Sequence, residues 1–108
     1  MIKIEIDTYD KKLITDIMAT NRFEQGIKNK IHEDVTIVYD GAIFRKSFDI
    51  PNTFMFIVNI ASSIGASYFA NWLYEKLKNK TEKMRINGKE VNIDNINITI
   101  NNEYKDNK

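Results

Sequence analysis

The chain has no cysteine, one proline, four glycines and a single histidine. Without cysteine there can be no disulfide, thiolate nucleophile or cysteine metal site, and a reducing, cytoplasmic setting fits. Four glycines leave no phosphate-binding loop. Gly41 and Gly88 read as turn residues, Gly65 falls in a helical stretch and Gly26 stands alone. His32 lies in His32-Glu33-Asp34, and three adjacent residues on an extended chain cannot converge on one ion. Ser62, Ser63 and Ser67 have no second histidine to act as base, so no nucleophile is assigned to them. Glu5 and Asp7 share a strand face with Lys3 and read as a solvent face. The expectation is therefore a non-enzymatic protein with no catalytic, cofactor or metal site.

Charge of one sign is also missing. Sixteen basic and fifteen acidic residues give a net charge of +1, no global pull towards nucleic acid or anionic lipid. The start, Met-Ile-Lys-Ile-Glu-Ile-Asp, lacks a basic segment followed by an apolar run and does not read as a secretory signal. A length of 108 residues with 43% hydrophobic content supports one domain over 1–108 with its own core. The bias towards Ile, Lys and Asn points to an AT-rich bacterial or phage genome.

Ile2, Ile4 and Ile6 alternate with Lys3, Glu5 and Asp7, the period of a half-buried strand. Thr8 or Asp10 can cap a helix over about 10–21, with Leu13, Ile14, Ile17 and Met18 at helical spacing. Residues 22–31 fit either helix or loop. Val35, Ile37 and Tyr39 lead into Asp40-Gly41, and 42–48 follows as a second extended run, which predicts a two-residue hairpin. Asn52 or Thr53 is expected to cap a long helix running to about Lys78. Asn87-Gly88 predicts a second hairpin. Ile96, Ile98 and Ile100 alternate with Asn97, Thr99 and Asn101, predicting a final strand before a polar, frayed tail over 102–108. The order is β-α-β-β-α-β-β-β. Such elements build an α+β two-layer sandwich, a mostly antiparallel sheet with two helices over one face.

The feature that most needs an explanation is the run from Ile50 to Tyr74, which contains no charged residue. Its length allows a membrane span, but two asparagines and three serines dilute it. A span would also leave the hairpins with unburied faces. On a helical wheel Phe54, Ile57, Ala61, Ile64, Gly65, Tyr68 and Trp72 share one face, and Gly65 and Ala61 would allow close approach to the sheet. The opposite face carries Phe56, Asn59, Ile60, Ser63, Ser67, Ala70 and Tyr74. Loss of charge with aromatic and small polar groups resembles the centre of a protein interface. Phe56, Asn59, Ile60, Ser63, Ser67 and Tyr74 are therefore the expected contact surface for a protein partner or a second copy in a homodimer, unless another part of the chain covers them.

The one basic cluster is Lys76, Lys78, Lys80, Lys83, Arg85 and Lys89, interrupted by Glu75, Glu82 and Glu90. With Trp72 available to stack a base, Trp72, Lys76, Lys78, Lys80, Lys83 and Arg85 form an alternative nucleic-acid surface. The plainer reading is lysines complementing a helix C-terminus.

An initial strand and helix, a small-residue-rich helix ending near Trp72-Leu73, a basic exit and Arg85-Ile-Asn-Gly-Lys-Glu-Val91 together resemble the effector-associated constant component family of bacterial conflict systems. The likeness covers residues 51–93. It implies a small adaptor rather than a catalyst and carries over no functional residue. The expected function is a protein interaction module, as adaptor, inhibitor or immunity protein. Nucleic-acid binding is the alternative, and a membrane anchor through residues 50–74 is third.

Overall fold

The computed structural model describes residues 1–80 and 83–106. Strand β1 (Ile2–Thr8) forms as its alternation predicts, with its isoleucines buried and Lys3 exposed. Helix α1 (Lys11–Met18) follows, its N-terminus capped by the Asp10 carboxylate, which accepts the Lys12 N–H. Leu13, Ile14, Ile17 and Met18 are buried on one side. Part of the ambiguous stretch becomes an edge strand, β2 (Lys28–His32), paired with β3 (Val35–Ile43).

Asp40-Gly41 is not a hairpin turn. Gly41 has φ +113 and sits where the β3 register slips by one residue. The positive φ that glycine permits produces a bulge, and the strand continues to Ile43. The chain reverses later, through residues 44–51.

The expected long helix divides. Residues Asn52–Ile60 form strand β4, and only Ser63–Leu77 form helix α2. Phe54, Phe56 and Val58 point to the core while Met55 and Ile57 sit half-buried on the other face. A strand flanked on both sides by partners needs no charge on either face, so the missing charge imitates a helix. β4 pairs with both β1 and β3. The cap is Ser62, not Asn52 or Thr53; its hydroxyl accepts the Gly65 N–H. The buried face of α2 is Gly65, Ala66, Phe69, Ala70, Leu73 and Leu77. Ile64 and Tyr68, expected inside, are outside, because nine residues of strand had set the phase of the wheel.

Strands β5 (Lys83–Ile86) and β6 (Lys89–Glu90) form the second hairpin as predicted. Asn87 and Gly88 both have positive φ, 50 and 83, as a two-residue turn of this kind requires. A 3-10 helix (Ile93–Asn95) then leads into helix α3 (Ile96–Asp106). The predicted final strand is thus a helix. Ile96 and Ile100, four apart, are buried against the core, and Ile98 is 66% exposed. The predicted frayed tail is helical as far as Asp106; residues 107 and 108 lie outside the described residues.

The sheet has six strands in the order β2-β3-β4-β1-β5-β6, every pair antiparallel. The fold is α+β, with the order β-α-β-β-β-α-β-β-α. The helices cover the face made by Ile4, Ile6, Ile37, Phe54, Phe56 and Ile86. The other face carries Lys3, Glu5, Asp7, Val38, Met55, Ile57 and Arg85 at matched register positions. No helix among the described residues is long and apolar enough to cross a membrane, and residues 50–74 are divided between loop, strand and helix.

Candidate functional site

The residues expected to meet a partner do not form one helix face. Phe56 is in the core, 2% exposed. Asn59 and Ile60 end β4. Ser63 and Ser67 begin α2, and Tyr74 lies near its far end. Asn59, next to core-facing Val58, lies on the opposite face of the sheet, whereas Ser63 and Ser67, four apart, share the exposed side of α2. The surface there has two further members that the sequence reading had placed inside. Ile64 is 73% exposed and Tyr68 is 43% exposed.

Helix α3 accounts for one flank of this region. The Ser67 hydroxyl donates to Asn101 Oδ1 at 3.3 Å, and Asn97 Nδ2 donates to Asn71 Oδ1 at 2.9 Å. Asn101 Nδ2 in turn donates to the Asn97 carbonyl and side-chain oxygens, each at 2.8 Å. Uncharged polar groups on α2 are thus matched by asparagines on α3. That explains Ser67 and Asn71 but leaves Ile64 and Tyr68 in the open.

On the other flank the Tyr68 ring lies 4.7 Å from the His32 ring, centre to centre. His32 Nδ1 accepts the Asp34 N–H at 3.0 Å, so in the neutral ring the proton sits on Nε2. Asp34 Oδ2 accepts from the Ser62 hydroxyl at 2.6 Å. The serine, histidine and aspartate are neighbours, but the hydroxyl is aimed at the carboxylate and not at the imidazole. The arrangement clamps the start of α2 to the β2–β3 turn. Among the described residues no three His, Cys, Asp or Glu side chains are grouped to hold a metal.

The alternative basic surface is dispersed. Lys76 lies over the Trp72 ring at 5.7 Å, and Lys78 pairs with Glu75 at 2.9 Å. Lys80 is exposed just beyond α2. Lys83 reaches Glu90 at 3.2 Å across the second hairpin. Arg85 belongs to the open face of the sheet, where it grips Asp7 through two bonds of 2.9 Å and approaches Glu5 at 3.4 Å. These bonds hold the Asp7 carboxyl below the usual carboxylate range, even though its partial burial opposes this, and the Thr53 hydroxyl bond and the charges of Arg85 and Arg45 add to the effect. The same pairing holds Arg85 charged. No family model, curated protein or solved structure matches this chain.

A second apolar surface lies at the opposite end of β4, in the loop between β3 and β4. Phe48 is 99% exposed and Phe44 60%, with Ile43 and Ile50 also exposed. The strand expected over 42–48 ends at Ile43, and the residues beyond it form this surface instead. The available signal was three large apolar residues, Phe44, Phe48 and Ile50, within a short polar stretch before a proline.

Proposed function

We propose that this protein is a non-enzymatic protein interaction module, binding its partner through the exposed side of α2 at Ile64 and Tyr68, bordered by Ser63 and Ser67. The observation that carries the reading is Ile64, 73% exposed on a helix that has no charge from Ser63 to Tyr74. A solvated helix face ordinarily carries Lys and Glu. Depletion of charge around an aliphatic and an aromatic side chain is the composition of an interface centre. We extend the proposal to a bacterial or phage conflict setting, as adaptor, inhibitor or immunity protein, on the resemblance of the Trp72-Leu73 and Arg85–Val91 segments.

The test is capture of the partner from host extract by tagged protein, with Ile64→Lys and Ser63→Lys beside the wild type. Both sites are exposed, so folding stability should stay within about 0.5 kcal/mol. A protein retained by the wild type should be lost, by about tenfold or more, from Ile64→Lys. Equal retention by both variants would remove α2 as the interface.

A further inference from the structure

We propose that the β3–β4 loop is a wedge that seats in the headgroup region of an anionic lipid bilayer. This surface is separate from the α2 surface: the nine residues of β4 lie between them, a span of about 30 Å at the usual strand rise.

The loop displays Ile43, Phe44, Phe48 and Ile50, with Phe48 fully in solvent. Tyr9 adds to the same end, since Thr8 pairs with Asn52 where the loop returns, and Tyr9 is itself exposed. The display is built rather than frayed. The Arg45 N–H donates to Asn52 Oδ1 at 2.9 Å, and its guanidinium donates to the Pro51 carbonyl at 3.1 Å and to Thr53 Oγ1 at 2.6 Å. Phe44 stands edge-on to the buried Phe54 ring, centres 6.0 Å apart. A loop braced in this way presents Phe48 to solvent instead of folding it back onto the sheet.

Charge decides the occupant. Lys46 is in the loop, and Lys11 lies behind it with its ammonium 5.8 Å from the Phe44 ring, next to Lys12. Asp49 is the one carboxylate of residues 44–51, and Asp10, between Tyr9 and Lys11, has its carboxylate turned to the Lys12 N–H as the cap of α1. Exposed apolar side chains with lysines beside them suit a lipid interface, where acyl chains lie under a layer of phosphates. Lysine stems can lie along the apolar layer while their ammonium groups reach the phosphates. Phe48 stands fully in solvent, with large apolar side chains on both arms of the loop. A lipid interface accepts that form without a complementary groove. Contact of this depth needs no membrane-crossing helix.

Co-sedimentation with vesicles of phosphatidylcholine alone, and of phosphatidylcholine mixed with phosphatidylglycerol, tests it. The wild type should bind the mixed vesicles at low salt, about tenfold or more weakly without the anionic lipid, and less as salt rises. Phe48→Asp should lose about tenfold or more, and Lys46→Glu should weaken binding, while Ile64→Lys binds as the wild type does. No binding to anionic vesicles at low salt would overturn the proposal and leave the tip to a protein pocket. Unchanged binding by Phe48→Asp, or loss of binding by Ile64→Lys, would overturn it too. Because Ile64→Lys is carried through both experiments, failure of the α2 reading and failure of the lipid reading are distinguishable.

Discussion

Asp7 is the residue on which the open face of the sheet is organised. It takes two bonds from Arg85, and its Oδ1 also accepts the Thr53 hydroxyl at 2.7 Å, while Thr53 accepts from Arg45. One carboxylate thus ties β5, β1 and β4 to the base of the β3–β4 loop. Its folded pKa is below the ordinary value. The stability it adds is therefore fully present above the unfolded value of about 3.9 and is lost as pH falls through the folded one. Asp7→Asn should cost about 2 kcal/mol at neutral pH, the usual worth of hydrogen bonds to a charged group. The difference between variant and wild type should shrink below about pH 4. Urea melts at neutral and acidic pH measure both; a constant difference would mean that the charge of Asp7 does not contribute. Lys3, Glu5 and Asp7 were legible as a polar face from their alternation. That Arg85, far along the chain, closes on them was not, because nothing local specifies which strand pairs with β1.

At the scale of elements, α2 packs tightly against the start of β3 at Gly65. A Cβ there would lie 2.9 Å from Asp34 Cβ and 3.2 Å from Val35 Cγ2. Gly65→Ala gains helix propensity of about 1 kcal/mol, yet overpacking against backbone-anchored atoms costs about 1–3 kcal/mol. Net destabilisation is expected in a denaturant titration. A neutral or stabilising result would mean the N-terminus of α2 shifts freely. The close approach at Gly65 was readable from the small residue itself. So were α1, from its four apolar positions and Asp10, and the Asn87-Gly88 turn. Asn87 does more than turn the chain: its Oδ1 accepts the Lys3 N–H at 2.8 Å and its N–H donates to the Lys3 carbonyl at 2.8 Å. Asn52–Ile60 and Ile96–Asp106 were misread in opposite senses. The first is a central strand whose two apolar faces suppress the alternation signal. The second alternates over five residues, but Ile96 and Ile100 also satisfy a period of four, and packing against α2 selects that period.

For the molecule as a whole, the balanced charge becomes a balanced surface. Lys78, Lys83 and Arg85 each have a carboxylate partner, and Lys89 approaches Glu103 at 4.0 Å. Oligonucleotide binding should accordingly be no tighter than about 10⁻⁴ M at physiological salt, the weak end of non-specific association. Fluorescence polarisation with a labelled single strand measures it. A tighter complex with a steep salt slope would return the Trp72 and Lys76 surface to the front. The two exposed apolar surfaces lie at opposite ends of β4, in a body measuring 39 × 26 × 21 Å.

The amino-acid sequence alone determined the fold class, the first strand and helix, and the Asn-Gly turn. These depend on side-chain periodicity, on backbone φ and on which residue types are present, all of which are local. Tertiary structure decided how the uncharged run divides, which strands flank β1, and which apolar side chains remain outside. Burial of Phe56 and exposure of Ile64 and Phe48 follow from where β4 ends and what packs over it. Hydrophobicity is the same for a residue in either place, so only the packed neighbours assign it to core or to surface.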